Sequence, residues 1–205
     1  MALGQIDHLV VSSATLSEGV ACLEDLLGVP MAGGGEHPLM GTHNALWSLG
    51  PSTYLEVIAI NPDAPDPGRA RWFDLDYFTG PARLTNWVVR VPDLTQALHR
   101  APDGTGDVLS LERGSYAWDM AIPSDGRLPF SGCAPGLLHW KGAQPAPDLP
   151  DLGLRLAALE VTHPEAEALS VALAPLVADR RLSVHSGAPG VSAWLDTPHG
   201  LVELP

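Results

Sequence analysis

Hydrophobic and polar positions change their period along this chain, and the changes divide it into units. Residues 5–12, QIDHLVVS, alternate so that Ile6, His8 and Val10 share one face of a predicted strand. Residues 14–28 switch to helical spacing, with Leu16, Val20, Leu23 and Leu27 along one side and Gly28 as the stop. A Gly-rich passage, Ala32 to Gly35, then leads into a hairpin. Its first strand runs from His43 to Leu49, Gly50-Pro51-Ser52 makes the turn, and Thr53 to Ile60 returns. The first unit therefore reads strand, helix, weak strand, strand, strand.

The same order recurs twice. Residues 61–83 are irregular and proline-rich, and they contain RARWFDLD, Arg69 to Asp76. Leu84 to Val91 is again a strand and Asp93 to Arg100 again a short helix, with Asp93 a suitable N-cap. DVLSLERG, SYAWDMAIP and CAPGLLHWKG supply three more strands. Beyond a proline-rich linker, Ala143 to Asp151, LRLAALEVTHP is a strand and EAEALSVALAPLVA a helix that Pro175 kinks or ends. RLSVHSG, VSAWLDTP and GLVELP close the third unit. A small sheet with one helix cannot bury enough surface alone, so the units must pack together or pair. The predicted class is α+β, with tandem βαβββ units forming a curved mixed sheet around a cleft. Two modules, at about residues 5–60 and 84–140, occupy 1–142, and residues 152–205 form a third, more divergent unit packed on the same domain. Three units are an odd number for a scaffold that works in pairs, which predicts a homodimer using the third unit or the first.

Composition narrows the class of partner. At 205 residues, 45% hydrophobic and 17% charged, the chain describes a packed globular protein. No apolar run reaches the length of a membrane span, and the opening MALGQIDHLVV lacks the pattern of a signal peptide. Cys22 and Cys133 have no motif spacing, which predicts a reduced compartment and a cytoplasmic protein without a disulfide framework. A net charge of −13 argues against nucleic acid and favours a small-molecule ligand as the partner. There is no phosphate loop, no Cys-X-X-Cys pair and no GxSxG elbow, which sets aside nucleotide hydrolysis, structural zinc and common serine hydrolases.

One residue breaks the hydrophobic pattern. In the second hairpin strand, YLEVIAI, Tyr54, Glu56, Ile58 and Ile60 share a face, and Glu56 lies in the middle of the apolar run. A buried carboxylate is costly unless it is paired or bound to a metal. His8 lies on the only other strand of the same unit with a buried-looking titratable group, so an ion pair between them or a shared ion would satisfy both. Trp47, Trp87, Trp118 and Trp140 fall on strands, where core packing and pocket lining are both open to them. His43, at a strand start, is either a surface histidine or a pocket residue. Arg71 either holds an anionic group or pairs with Asp74 or Asp76.

Four motifs in order, IDHLVV, GTHNALWSLG, TYLEVIAINPDAP and RARWFDLD, resemble the glyoxalase-like domain proteins of the vicinal oxygen chelate superfamily. That group includes glyoxalase I, extradiol dioxygenases and bleomycin-resistance proteins. The resemblance covers residues 5–140, and DTPHGLVEL is similar to the ending of a typical module. It implies two modules whose sheets form a cup, with metal ligands on the first and last strands of each. By position it assigns His8 and Glu56 in the first module. Aligning NWVV with HLVV and LLHW with YLEV puts Asn86 and His139 in the second. Asn86 is a poor ligand, so the implied set is His8, Glu56 and His139, suited to zinc, iron, nickel or manganese. Glu56 is the implied catalytic residue, with His43, Arg71, Asn86, Trp87 and Trp140 against the substrate. The leading expectation is a metal-dependent lyase, isomerase or dioxygenase acting on a small oxygenated metabolite. The competing one is a metal-free protein that sequesters an aromatic or cationic small molecule between its tryptophans. Without an ion, Glu56 should be hydrogen-bonded to His8.

Overall fold

The computed structural model describes residues 3–205. Strand β1 (Gln5–Ser12) is followed by helix α1 (Leu16–Leu27), then β2 (Gly33–His37), β3 (Thr42–Ser48) and β4 (Tyr54–Ile60). Thr15 caps α1 through its hydroxyl, and Gly28 ends it in the left-handed conformation at φ 68°. Leu23 and Leu27 are buried against the sheet, as the helical spacing requires. The second unit holds β5 (Arg83–Arg90), α2 (Leu94–Leu98), β6 (Asp107–Arg113), β7 (Tyr116–Ile122) and β8 (Gly136–Trp140). Asp93 accepts from the Gln96 amide and caps α2. The third holds β9 (Arg155–His163), α3 (Ala166–Leu173), β10 (Leu182–Ser186), β11 (Gly190–Thr197) and β12 (Gly200–Glu203).

The first two units build one eight-stranded mixed sheet in the order β2-β3-β4-β1-β5-β8-β7-β6. In each, the first strand runs parallel to the last and the middle strands pair antiparallel. The halves meet along an antiparallel β1–β5 seam, where His8 pairs with Val88 and Val10 with Asn86. That reciprocity is the mark of a local two-fold, which makes Asn86 the counterpart of His8 and Val88 the counterpart of Val10. The third unit repeats the element order but not the pairing. Its sheet runs β10-β9-β11-β12, with the first strand parallel to the strand right after the helix.

Two apolar clusters lie on opposite faces of the large sheet. One gathers Leu9, Val11, Trp47, Val57, Trp87 and Val89 with α1, and it takes in Leu159, Val161, Ala193 and Leu195 of the third unit. The third unit therefore buttresses the face away from the cleft. The other gathers Val10, Ile58, Val88, Met120 and Leu138 beneath Trp72, Phe73 and Leu75. Those last residues belong to a short 3-10 segment, Trp72–Tyr77, in which Phe73 and Asp74 take left-handed angles, φ 59° and 55°. For a residue as bulky as phenylalanine that conformation is strained. The segment is pinned where the Asp74 amide donates to the Gly126 carbonyl at 2.9 Å. No helix among the described residues is long and apolar enough to cross a membrane.

Gly126 is itself left-handed, at φ 77°, and a β-carbon there would run into the Arg71 carbonyl oxygen. Gly126→Ala is expected to lower stability by more than about 1 kcal/mol, read as a lower urea midpoint. An unchanged midpoint would mean that this segment is not held as described.

Candidate functional site

Alternation along β1 and β4 sends His8 and Glu56 to the cleft face, away from α1. His8 Nε2 lies 3.4 Å from Glu56 Oε2, and both side chains are buried. The pairing register with β5 slips between Ile6 and His8, the position of a bulge. A bulge lets neighbouring residues escape strict alternation, and here it brings Asp7 to the same site as His8. The Asp7 carboxylate, 1% exposed, accepts from His8 Nδ1 at 2.7 Å and from Trp140 Nε1 at 2.9 Å, with Arg90 at 3.5 Å. Tyr54 stacks on the His8 ring, with centroids 4.5 Å apart.

On the far side, Glu56 Oε1 accepts from the Asn44 amide at 2.5 Å. An ionised carboxylate only accepts, so the amide nitrogen of Asn44 must face it. The same nitrogen lies 3.4 Å from His37 Nε2, while His37 Nδ1 sits 3.1 Å from the Thr42 hydroxyl. The Asn44 Oδ1 is buried without a partner among the described residues. The charge states follow from these contacts. Burial alone would drive the His8 proton off, but the Asp7 and Glu56 carboxylates outweigh it and raise its pKa to about 9. Burial alone would also neutralise Glu56, yet His8 and the Asn44 bond hold it down to about 2. His37 has no such partner, and burial lowers it to about 4. At neutral pH the site holds an imidazolium between two carboxylates, beside a neutral imidazole.

These groups border a cavity of about 20 Å3, walled by His37, Trp72, Phe73, Arg113, Trp118 and Trp140. That is room for one water molecule, so anything larger must displace the Trp72–Phe73 wall. Trp140 also borders a larger open pocket on its outer side, and Phe73 borders another.

The residues expected from sequence separate into two groups. His8, Glu56 and Trp140 come together. His139 does not: it lies one residue out of phase with Leu138 and Trp140, bonds the Val91 carbonyl at 3.0 Å and opens onto the outer pocket. The register explains this. Val10 pairs with Glu56, whereas Val88 pairs with Gly136, so Gly136 stands where a second glutamate was sought. The alignment of LLHW with YLEV is three positions off, and an odd shift in a strand exchanges the faces. Asn86 occupies the counterpart of His8 but donates to the Gly132 carbonyl at 3.2 Å. Trp87 is fully buried on the opposite face and bonds the Cys133 carbonyl. His43 lies on the α1 side of β3, out of phase with Asn44. Arg71 is paired with Asp76 at 2.6 Å; neither borders the cavity.

Of the expected ligands only His8 Nε2 and Glu56 come together, and His37 on the same cavity is turned to Thr42 and the Asn44 amide. Among the described residues no three His, Cys, Asp or Glu side chains converge on one point. A catalytic zinc ordinarily has three protein ligands, and the second half of the sheet offers Asn86 and Gly136 instead. The donor set does not fit a resident divalent ion. Asp7, His37, Asn44 and Arg113 are site residues that sequence reasoning passed over. Asp7 was open to the argument used for Glu56, since it too is an acid in an apolar strand. Arg113 gave no signal.

The buried histidines fix the pH dependence of folding. His8 is raised to about 9, so its stabilisation is complete below its ordinary pKa near 6.5 and is lost as pH climbs through 9. His37 is lowered to about 4, so its contribution is present above 6.5 and is lost as pH falls through 4. Together they place the stability maximum near pH 6.5. His8→Gln should flatten the alkaline side, worth on the order of 3 kcal/mol, and His37→Gln the acid side. Urea midpoints measured from pH 4 to 9.5 check this, and a wild-type profile flat above pH 6.5 would contradict the His8 assignment.

Comparison with known proteins agrees with this architecture. A hypothetical protein from Staphylococcus aureus has a similar solved structure, with TM-score 0.62 at 12% identity over 91% of this chain and 88% of that one. Methylmalonyl-CoA epimerases are more distant in shape. The Streptomyces coelicolor enzyme gives 0.46 at 15% identity over 70% of this chain and all of its own. The Mycobacterium tuberculosis enzyme gives 0.43 at 18% identity over 68% and 88%. Among curated proteins no sequence matches significantly. The family model described as "Glyoxalase-like domain" matches residues 6–177, from the second residue of β1 through the end of α3 and just beyond, and the chain belongs to that family.

Proposed function

We propose that this protein is an acid–base enzyme of isomerase or lyase type, moving a proton on a carbon next to a carbonyl of a small oxygenated metabolite. The observation that carries the reading is the uneven hold on His8. Asp7 grips Nδ1 at 2.7 Å, while Nε2 lies 3.4 Å from Glu56. A charge-assisted hydrogen bond is usually 2.7–2.9 Å, so Nε2–H is only loosely engaged and is available to a substrate oxygen placed along its direction. The Asp7 carboxylate fixes the ring in that position.

In this reading Glu56 takes the proton as the C–H bond breaks. The electron pair moves into the carbonyl, and the enolate oxygen that forms accepts Nε2–H of His8. This is stabilisation of developing charge in a site closed off from bulk solvent, where it is worth most. Glu56 is a weak base at rest because His8 holds it down to about 2. When His8 engages the substrate, part of that hold is released and burial pushes the carboxyl back up toward a useful base. Return of the proton gives an isomer, whereas loss of a neighbouring leaving group gives an elimination product. Because no three His, Cys, Asp or Glu side chains converge on one point among the described residues, no step is assigned to a divalent ion.

The test is hydrogen–deuterium exchange at carbon, followed by NMR in deuterium oxide over a panel of small hydroxy- and oxo-compounds. Wild type should exchange at least one of them, and Glu56→Gln should slow that exchange by about 10²–10⁴-fold. A Glu56→Gln protein that exchanges as fast as wild type would leave a binding protein instead.

A further inference from the structure

Arg113 ends β6 and, with Leu109 and Leu111, alternates onto the cleft face. Only 9% of it is exposed. Its stem lies on the backbone of Gly35, where a β-carbon would sit 2.9 Å from the arginine Cδ. The absence of a side chain at Gly35 in β2 makes room there. Its guanidinium lies 5.8 Å from the Tyr116 ring centroid. Yet it makes no ion pair within 4.0 Å and no hydrogen bond with any described residue. The other charges at or behind the cavity wall are held among the described residues: Asp7 by His8 and Trp140, His8 by two carboxylates, Glu56 by His8 and Asn44. The Arg113 nitrogens keep some contact with solvent, and five N–H donors without a protein acceptor are available to a ligand.

We infer that Arg113 is the anchor for a carboxylate on the substrate, so that the ligand of this cavity is a small carboxylic acid carrying a neighbouring hydroxyl or carbonyl. This deepens the proton-transfer reading and rests on it only for the reaction, not for the binding. Arginine presents two parallel N–H groups that match a carboxylate. Phosphate offers similar oxygens, but several features favour the monoanion. Among the described residues that border the cavity, Arg113 is the one cation without a protein partner, none is a glycine of a phosphate-cradling loop, and Glu56 already brings negative charge. The charge of Arg113 reaches into the site, where it helps lower His37 and opposes the rise of the Tyr54 phenol.

The experiment titrates the whole protein with glycolate, glycolaldehyde and inorganic phosphate, reading the fluorescence of the tryptophans that wall the cavity. Glycolate should bind saturably, and neutral glycolaldehyde, of nearly the same shape, about tenfold or more weakly. Arg113→Met should lose about tenfold or more in glycolate affinity, and Arg113→Lys, which keeps the charge and guards against misfolding, should fall between. Binding is read by fluorescence and exchange at carbon by NMR on the wild-type protein, so failure of binding and failure of catalysis are read separately. Equal affinity for glycolate and glycolaldehyde, tighter binding of phosphate, no saturable binding of glycolate, or an unchanged constant in Arg113→Met would each overturn the assignment.

Discussion

Three charged groups are buried together in this protein, and none could be buried alone. Asp7, His8 and Glu56 lie within hydrogen-bonding or ion-pairing reach in one corner of the cleft. Each ion in a low-dielectric interior costs several kcal/mol unless its neighbours compensate. The imidazolium exists because two carboxylates flank it, and Glu56 stays ionised against the cost of burial because His8 and Asn44 hold it. Removing any one would leave the others uncompensated, so the same contacts hold the fold at this point and set the charge states available for chemistry. Tyr54, Trp140 and Asn44 complete the arrangement by stacking on the ring or donating to the carboxylates.

The sheet that carries this corner is symmetric in backbone and asymmetric in chemistry. The reciprocal pairing of β1 with β5 gives the two halves one geometry, yet the counterparts of His8 and Glu56 are Asn86 and Gly136. Asn86 is spent on the Gly132 carbonyl, and the space beside Gly136 is filled by Met120 and Phe73. One half has kept polar groups, and the other has become the apolar wall facing them. That wall closes the cavity down to about 20 Å3, and keeping bulk solvent away strengthens each electrostatic contact inside it. The third unit lies on the opposite side of the sheet, where its leucines and valines extend the core behind Trp87 and Val89. Its role is support at a distance from the charged groups.

Much of the fold was legible from period alone. Alternation over QIDHLVVS and YLEVIAI, helical spacing over residues 14–28 and the Gly50-Pro51 turn are local signals, and local sterics and amphipathicity decide them. Glu56 was legible for the same reason, since a carboxylate in an apolar strand breaks the pattern on its own. The third unit shows the limit. Its order of elements matches the first two, but β9 pairs with β10 where a repeat would place the last strand. Element order is written in local sequence; which strand lies beside which depends on packing between distant segments.

The sequence by itself determined the α+β class and the family resemblance and marked His8 and Glu56 as groups in need of a partner, because each rests on residue type within a local pattern. The pairing of β1 with β4 brought the two together. Tertiary structure decided the rest of the site. Register between β5 and β8 turned His139 outward, since a shift of an odd number of residues exchanges the faces of a strand. A bulge in β1 brought Asp7 to its neighbour, and β6, at the far edge of the sheet, delivered Arg113 across the curved face to the same cavity. Register, bulges and curvature arise from the summed pairing and packing of strands far apart in the chain, so no short stretch of sequence contains them.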